Sequence, residues 1–197
     1  MKIRRLPGIL AGIVFLSGCA AKLHEDIPLV WKPTNEVYDL NTATLTGLYE
    51  QKIKVVPFVD ARENRREIAR NIEDKSPRPV TTKDDVGAWC TDRFASIMRQ
   101  FGFKVVDSGE TVVLKGEILQ FYVVEDSVYK ANVGIKVTAE TPAGAKLWQG
   151  MMSGSSRRFG RSYKPENYYE TLSDAYLEAV HGLLKSEEFR KAVQKAG

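Results

Sequence analysis

Between Asn132 and Glu140 the chain alternates. Val133, Ile135, Val137 and Ala139 are apolar, and Asn132, Lys136, Thr138 and Glu140 are interleaved polar residues. A period of two cannot belong to a helix. It sends one set of side chains to a core and the other to water. A strand with one wet face implies an antiparallel sheet. Thr141-Pro142-Ala143-Gly144 supplies turn residues, and Lys146 to Ser153 reads as the returning strand. Upstream, Val112, Leu114, Ile118, Tyr122 and Val124 share one parity across Thr111 to Glu125, which predicts a third strand. A meander is the simplest way to join the three.

Helical and strand patterns flank this meander. Ile53, Val55, Val56, Phe58 and Val59 form a nearly continuous apolar run over Lys52 to Asp60, as in a strand buried on both faces. Pro57 within it demands an edge or a bulge. Glu67 to Ile72 and Arg78 to Thr81 can pair as a hairpin within the charged stretch from Ala61 to Asp85. Thr82 with Asp85 reads as a capping box for a helix whose Val86, Trp89, Cys90, Phe94, Ile97 and Phe101 share a face. Gly102 is placed to end that helix in a left-handed cap, before a short strand over Phe103 to Val106. Tyr168, Leu172, Ala175, Tyr176, Ala179 and Leu183 form a second helical stripe, and Ser186 can cap a final short helix with Glu187 and Glu188 in its first turn. The expectation is an α+β fold in two layers, a mixed and mostly antiparallel sheet of about five or six strands with two main helices on one face.

The N-terminus follows another logic. Lys2, Arg4 and Arg5 precede an apolar run from Gly8 to Phe15 that is too short to span a bilayer, and Leu16-Ser17-Gly18-Cys19 follows. This junction resembles the lipobox of bacterial lipoproteins. The resemblance implies a signal peptide over residues 1–18, cleavage before Cys19, and a covalent diacylglycerol and N-acyl lipid, such as palmitate, on that residue. Several acyl chains at about 0.8 kcal/mol per buried methylene hold a protein on a membrane almost permanently. Ala20, rather than an aspartate, implies delivery to the outer membrane with the domain facing the periplasm. Residues 19–50 then read as a lipidated N-terminus and tether, partly docked through Ile27, Leu29, Val30 and Trp31, and 51–197 as a single domain. A flexible tether of that length would reach on the order of 30 Å.

Removal of the leader also changes the charge. The full chain carries 29 Lys and Arg against 25 Asp and Glu. Three of the cations lie in 1–18, so residues 19–197 hold 26 against 25, a net charge of +1. That balance argues against a nucleic-acid partner. Two cysteines occur, and lipid on Cys19 leaves Cys90 without a disulfide partner.

The element order resembles the YajG-type family of uncharacterised bacterial outer-membrane lipoproteins. The likeness rests on Leu16 to Cys19, Val59-Asp60-Ala61-Arg62, Phe101-Gly102-Phe103, Val113 to Leu119, Thr141 to Gly144 before Leu147, and Asp174-Ala175. It implies an α+β fold and an envelope location, and it brings no catalytic residues. Glu63 to Asp85 fits the pattern least.

Candidate sites are few. Cys90 falls within the first apolar stripe and reads as a small buried hydrophobe. His181 lies two and a half turns after Leu172 and is expected to face water; His24 falls in the tether. Glu73-Asp74 and Asp84-Asp85 read as loop and helix-start charges rather than a metal site. Ser153, Ser155 and Ser156 form no nucleophile motif, and Gly150 and Gly154 no phosphate loop. Arg157, Arg158, Arg161 and Lys164, with Phe159 and Tyr163, are expected in a loop that could contact an anionic ligand or a partner. Arg62, Arg65, Arg66 and Arg70 make a second basic cluster, with Glu63 and Glu67 as local counter-ions. The functional expectation is a non-enzymatic periplasmic adaptor or accessory protein of the cell envelope, held on the membrane by Cys19 and meeting an envelope protein. It has no metal and no cofactor beyond its lipid. The alternative is an auxiliary lipoprotein of envelope lipid transport or lipopolysaccharide assembly, binding lipid or a transporter subunit. The oligomeric state is not legible.

Overall fold

The alternating segment forms the middle strand of a three-stranded meander in the structure, a computed structural model that describes residues 24–35, 45, 47–73, 75–160 and 164–196. In chain order the elements are β1 (Lys52–Val55), β2 (Val59–Asp60), β3 (Glu67–Asn71), β4 (Arg78–Thr81), α1 (Val86–Gln100), β5 (Lys104–Val105), β6 (Val112–Glu125), β7 (Val128–Glu140), β8 (Lys146–Phe159), α2 (Pro165–Lys185) and α3 (Glu187–Gln194). The expected α+β architecture holds: the strands join one mixed sheet, with helices on one face.

β6 is the pivot of the sheet. One edge pairs antiparallel with β7, which pairs antiparallel with β8. The other edge carries three short strands end to end, all parallel to it: β1 along Val112–Leu114, β2 along Glu117–Ile118 and β3 along Val123–Glu125. β5 extends the sheet beyond β1, and the expected hairpin partner β4 extends it beyond β3. Eight strands result rather than five or six, and one of them arises because the apolar run 52–60 does not stay continuous. It breaks around Pro57, which has no N–H to give, and the Phe58 N–H turns away to Thr91 Oγ1 at 2.8 Å. Val59 is left exposed.

A bulge corrects the parity expected for β6. Ile118 pairs with Ile135 and Gln120 with Gly134, so Leu119 is an extra residue. Leu119 and Gln120 both face outward, and Phe121, Val123 and Glu125 then turn inward in place of Tyr122 and Val124. Lys115–Glu140 and Lys136–Glu117 ion pairs cross the outer face between β6 and β7.

α1 begins one motif later than the capping-box reading. Asp85 caps it by accepting from the Ala88 N–H at 3.0 Å, while Thr82 Oγ1 accepts from the Asp84 N–H at 3.1 Å in a local turn. Its C-terminus closes as expected. Gly102 sits at φ 84°, its N–H donates to Arg99 O, and the Phe103 N–H reaches back to Met98 O. Ser186 caps α3 by accepting from the Phe189 N–H.

β8 runs six residues past Ser153, so Gly154 to Phe159 form edge strand rather than the loop expected there. The reason is α2, which lies against this strand. A Cβ at Gly154 would come within 2.2 Å of Ala175 O and 2.4 Å of Ala179 N, so only glycine admits the helix at that distance. Between helices and sheet the space is filled by Phe94, Phe121, Val133, Met152, Leu172 and Tyr176, all at 2% exposure or less.

Residues 24–35 are a strap bound across the helix side of the domain. Ile27 and Leu29 are buried, and Trp31 packs against Trp89 and Tyr176. Residues 24–35 form no regular strand.

Candidate functional site

At the turn from β6 to β7 the sheet ends in a short connection, where the Asp126 carboxylate accepts from the Val128 N–H at 2.9 Å and from Lys130 Nζ at 2.6 Å. Those donors, Lys130 first, hold its carboxyl down at about 2. Beneath the turn lies Glu125, 2% exposed. Tyr129 Oη donates to one of its oxygens at 2.6 Å, and the Tyr168 hydroxyl donates to the other. Burial first, and then this bond to Glu125, pushes the Tyr129 phenol well above its ordinary range, so it stays a donor. The His24 ring meets Tyr168 edge-on at 5.8 Å. Strap, sheet end and first turn of α2 are thus tied at one buried carboxylate.

The predicted basic residues divide here. Arg158, opposite Tyr129 in the ladder, places Nη1 2.6 Å from Glu170 Oε2, and Lys32 of the strap takes Oε1 of the same carboxylate at 2.6 Å. Glu170 is 5% exposed, so Arg158 serves as an internal clamp between β8, α2 and the strap. Arg157 and Lys164 stay exposed at the surface. Arg161 lies outside the described residues, as do Tyr163, Asp74 and the proposed lipid site Cys19.

In the second basic cluster only Arg62 is tied up internally, while Arg65, Arg66 and Arg70 lie at the surface. Arg62, its side chain 7% exposed, grips both oxygens of Asp60 and donates to the carbonyls of Glu67, Phe121 and Arg65. Arg66 and Lys83 share Asp26, and Arg70 pairs with Glu67. Glu67 is a counter-ion as expected; Asp60 and Asp26 are the others.

His181 does not face water. It is 2% exposed, with Phe101 edge-on at 5.4 Å, because the C-terminal end of α1 widens the buried arc of α2 beyond its apolar stripe. Burial, with Lys185 adding to it, lowers its pKa below 6.5. His24 is also buried rather than free in a tether. Cys90 is fully buried, and burial raises its thiol pKa well above the ordinary value. Asp84 accepts from the Leu29 N–H at 2.6 Å, and Asp85 caps α1, so that acidic pair has structural work. Glu178 reaches the edge of β8 and accepts from the Ser155 N–H at 2.8 Å. Among the described residues a groove of about 510 Å³ lies between β8 and α2, lined by Ser155, Arg157, Asp174, Glu178 and His181 among others.

Sequence reasoning missed Glu125, Tyr129, Tyr168, Glu170 and Asp174. Glu125 would have been found by a parity that allows for the bulge at Leu119. Asp174 lies within the predicted helix, but its partners are in the strap: Thr34 N–H and Oγ1, each at 2.6 Å, and Asn35 N–H at 3.0 Å.

No family model matches this sequence, and no curated protein matches it. Solved structures do resemble the fold. A Xanthomonas campestris protein assigned to family DUF330 is 10% identical, covering 68% of this chain and 81% of its own, with a TM-score of 0.53. A putative lipoprotein from Caulobacter crescentus is 10% identical over 73% of this chain and 91% of its own, TM-score 0.47. Lipoprotein GNA1162 from Neisseria meningitidis is 15% identical over 58% and 87%, TM-score 0.36. At these identities the likeness to the Xanthomonas protein is one of fold.

Proposed function

We propose that this chain is a lipid-anchored lipoprotein of the bacterial outer membrane, similar to the YajG type. Its periplasmic domain works without catalysis, as an adaptor or accessory protein of the cell envelope. One observation carries the reading: residues 24–35, which begin five positions after the lipobox-like cysteine, are built into the fold. Strap residues from His24 onward are secured to β4, α1 and α2 through Thr81, Asp84, Trp89, Ser173 and Asp174. An anchor at Cys19 therefore holds a fixed body, as a scaffold for a partner requires. Among the groups the sequence offered for chemistry, Cys90, His24 and His181 are buried, and Asp84 and Asp85 are engaged in structural contacts.

The lipid-handling alternative calls for an apolar groove between helices and sheet. The interior there is filled by core side chains, and the groove between β8 and α2 is lined largely by polar and charged residues such as Arg157, Asp174 and Glu178. The test is fractionation joined to crosslinking in cells. The wild-type protein is expected in the outer-membrane fraction with lipid on Cys19 by mass spectrometry, and Cys19→Ala in the soluble periplasm. A Cys19→Ala protein that stays with outer membranes would remove the anchor. Crosslinks from Arg157 or Lys164 that capture lipid alone, with no protein, would favour the alternative.

A further inference from the structure

Five peptide steps separate Cys19 from His24, the first described residue of the strap. At about 3.5 Å per extended residue, the anchoring residue lies no more than about 17 Å from His24. This is far shorter than a free tether of some thirty residues would allow, because residues 24–35 are bound to the domain. A lipid at Cys19 therefore restricts which side of the molecule can face the bilayer.

His24 is close to one end of the sheet. Its ring packs on Tyr168, whose hydroxyl reaches Glu125 at the last residue of β6. The ends of β3, β6, β7 and β8 line up there: the Ile72 N–H donates to Glu125 O at 2.7 Å, and Val128 pairs with Phe159. Two large apolar side chains are exposed at this end, Phe159 at 71% and Ile72 at 44%. With four neighbouring strands at about 4.8 Å spacing, they stand on opposite flanks of the β6–β7 turn, roughly 14 Å apart. Arg157 and Lys164 are exposed near Phe159; of the carboxylates at this end Asp126 is paired with Lys130, Glu125 is buried, and Glu73 beside Ile72 is exposed. Two apolar tips, with cations beside Phe159, suit a phospholipid interface, where apolar side chains enter the headgroup layer and cations meet phosphate.

We infer that this end of the domain, the β6–β7 turn with Phe159 and Ile72 on its flanks, rests on the surface of a bilayer containing anionic phospholipid. The inference rests on the lipid-anchor reading above. It leaves the opposite end, where β5 leads into β6, as the face turned away from the membrane and toward a periplasmic partner.

The test uses the full chain, purified with its lipid and reconstituted in vesicles of phosphatidylethanolamine and phosphatidylglycerol. Cys90 is buried and Cys19 is acylated, so a cysteine introduced by Ser127→Cys, or by Asp107→Cys at the far end, can be labelled selectively with a fluorophore. Quenching by headgroup spin-labelled lipid is expected to be at least threefold stronger for the Ser127→Cys label. Phe159→Ser with Ile72→Ser is expected to reduce that contrast at least twofold. Equal quenching at both positions, or stronger quenching at 107, overturns the orientation. An unchanged contrast in the double variant overturns the contact through Phe159 and Ile72. Mass spectrometry separates the two levels: a Cys19 without lipid defeats the anchor and this inference together. A lipidated Cys19 with equal quenching defeats the orientation alone.

Discussion

Along β6, β7 and β8 the backbone finds its partners on neighbouring strands, in two antiparallel ladders joined by short turns. Along residues 24–35 the only backbone exchange among the described residues is with Thr81, which donates to His24 O and accepts from the Ile27 N–H. The remaining strap contacts run through side chains: Asp84 to Leu29, Trp89 Nε1 to Leu29 O, Ser173 to Lys32, and Asp174 to Thr34 and Asn35. A ladder loses little when one side chain changes, because its bonds belong to the main chain. A strap fixed by a few side chains can be released piece by piece. The meander thus acts as the rigid frame and the strap as the removable link between frame and anchor.

The largest effect should come from the point where the frame supports the link. Gly154→Val would drive a side chain into the backbone of α2 at Ala175 and Ala179, which cannot yield as a flexible side chain would. We expect a loss of about 3 kcal/mol or more in denaturant unfolding, as for severe overpacking. Because α2 also carries Ser173 and Asp174, the strap should loosen with it. A variant as stable as wild type would show that helix and strand do not approach so closely. Leu29→Ala should follow at about 2.5 kcal/mol, the usual cost of emptying a buried leucine site. Its signature differs: hydrogen exchange should rise along 24–35 while the β6–β7 ladder keeps its protection. Uniform loss of protection would erase the distinction between frame and link.

Asp174→Ala removes one carboxylate that accepts three hydrogen bonds from Thr34 and Asn35. Hydrogen bonds to a charged group contribute about 2 kcal/mol, and we expect a loss of that order, confined to opening of the strap at its 32–35 end. Asp174→Asn, which keeps an acceptor oxygen, should recover part of it. If both variants open the strap from the His24 end instead, the order in which the link is secured is wrong.

The same contrast explains what could be read from the sequence. Val133 to Ala139 and the Thr141–Gly144 turn were legible because a ladder between neighbouring strands writes a period of two into adjacent residues. Gly102 and Ser186 were legible because caps are local. The bulge at Leu119 was not, since one extra residue leaves the composition unchanged and reverses the parity of everything after it. The strap was only half legible. Ile27 and Leu29 announced burial, but Ser173 and Asp174, which secure its far end, lie about 140 positions away. Arg62 looked like a solvated cation because its partners, Asp60 and the carbonyls of Glu67 and Phe121, converge only after folding. The basic site split for a related reason: Arg158 faces Glu170 only because β8 continues to Phe159 beside α2.

His181 offers the finest probe, because α2 touches both frame and strap and this imidazole sits on its third side, against Phe101. Burial, and secondarily Lys185, lowers its pKa in the folded protein below 6.5; in the unfolded chain it returns to about 6.5. The unfolded state therefore takes up the proton first as pH falls. The associated stability is present in full above pH 6.5 and is lost as pH drops through the lowered folded value, levelling off beneath it. His181→Gln does not titrate, so between pH 7.5 and 5.5 its unfolding midpoint should fall less steeply than that of the wild type. Parallel pH profiles would place the ring in water, as the helical spacing alone had suggested. The end of α1 would then not cover α2, and the frame would be narrower than the packing shows.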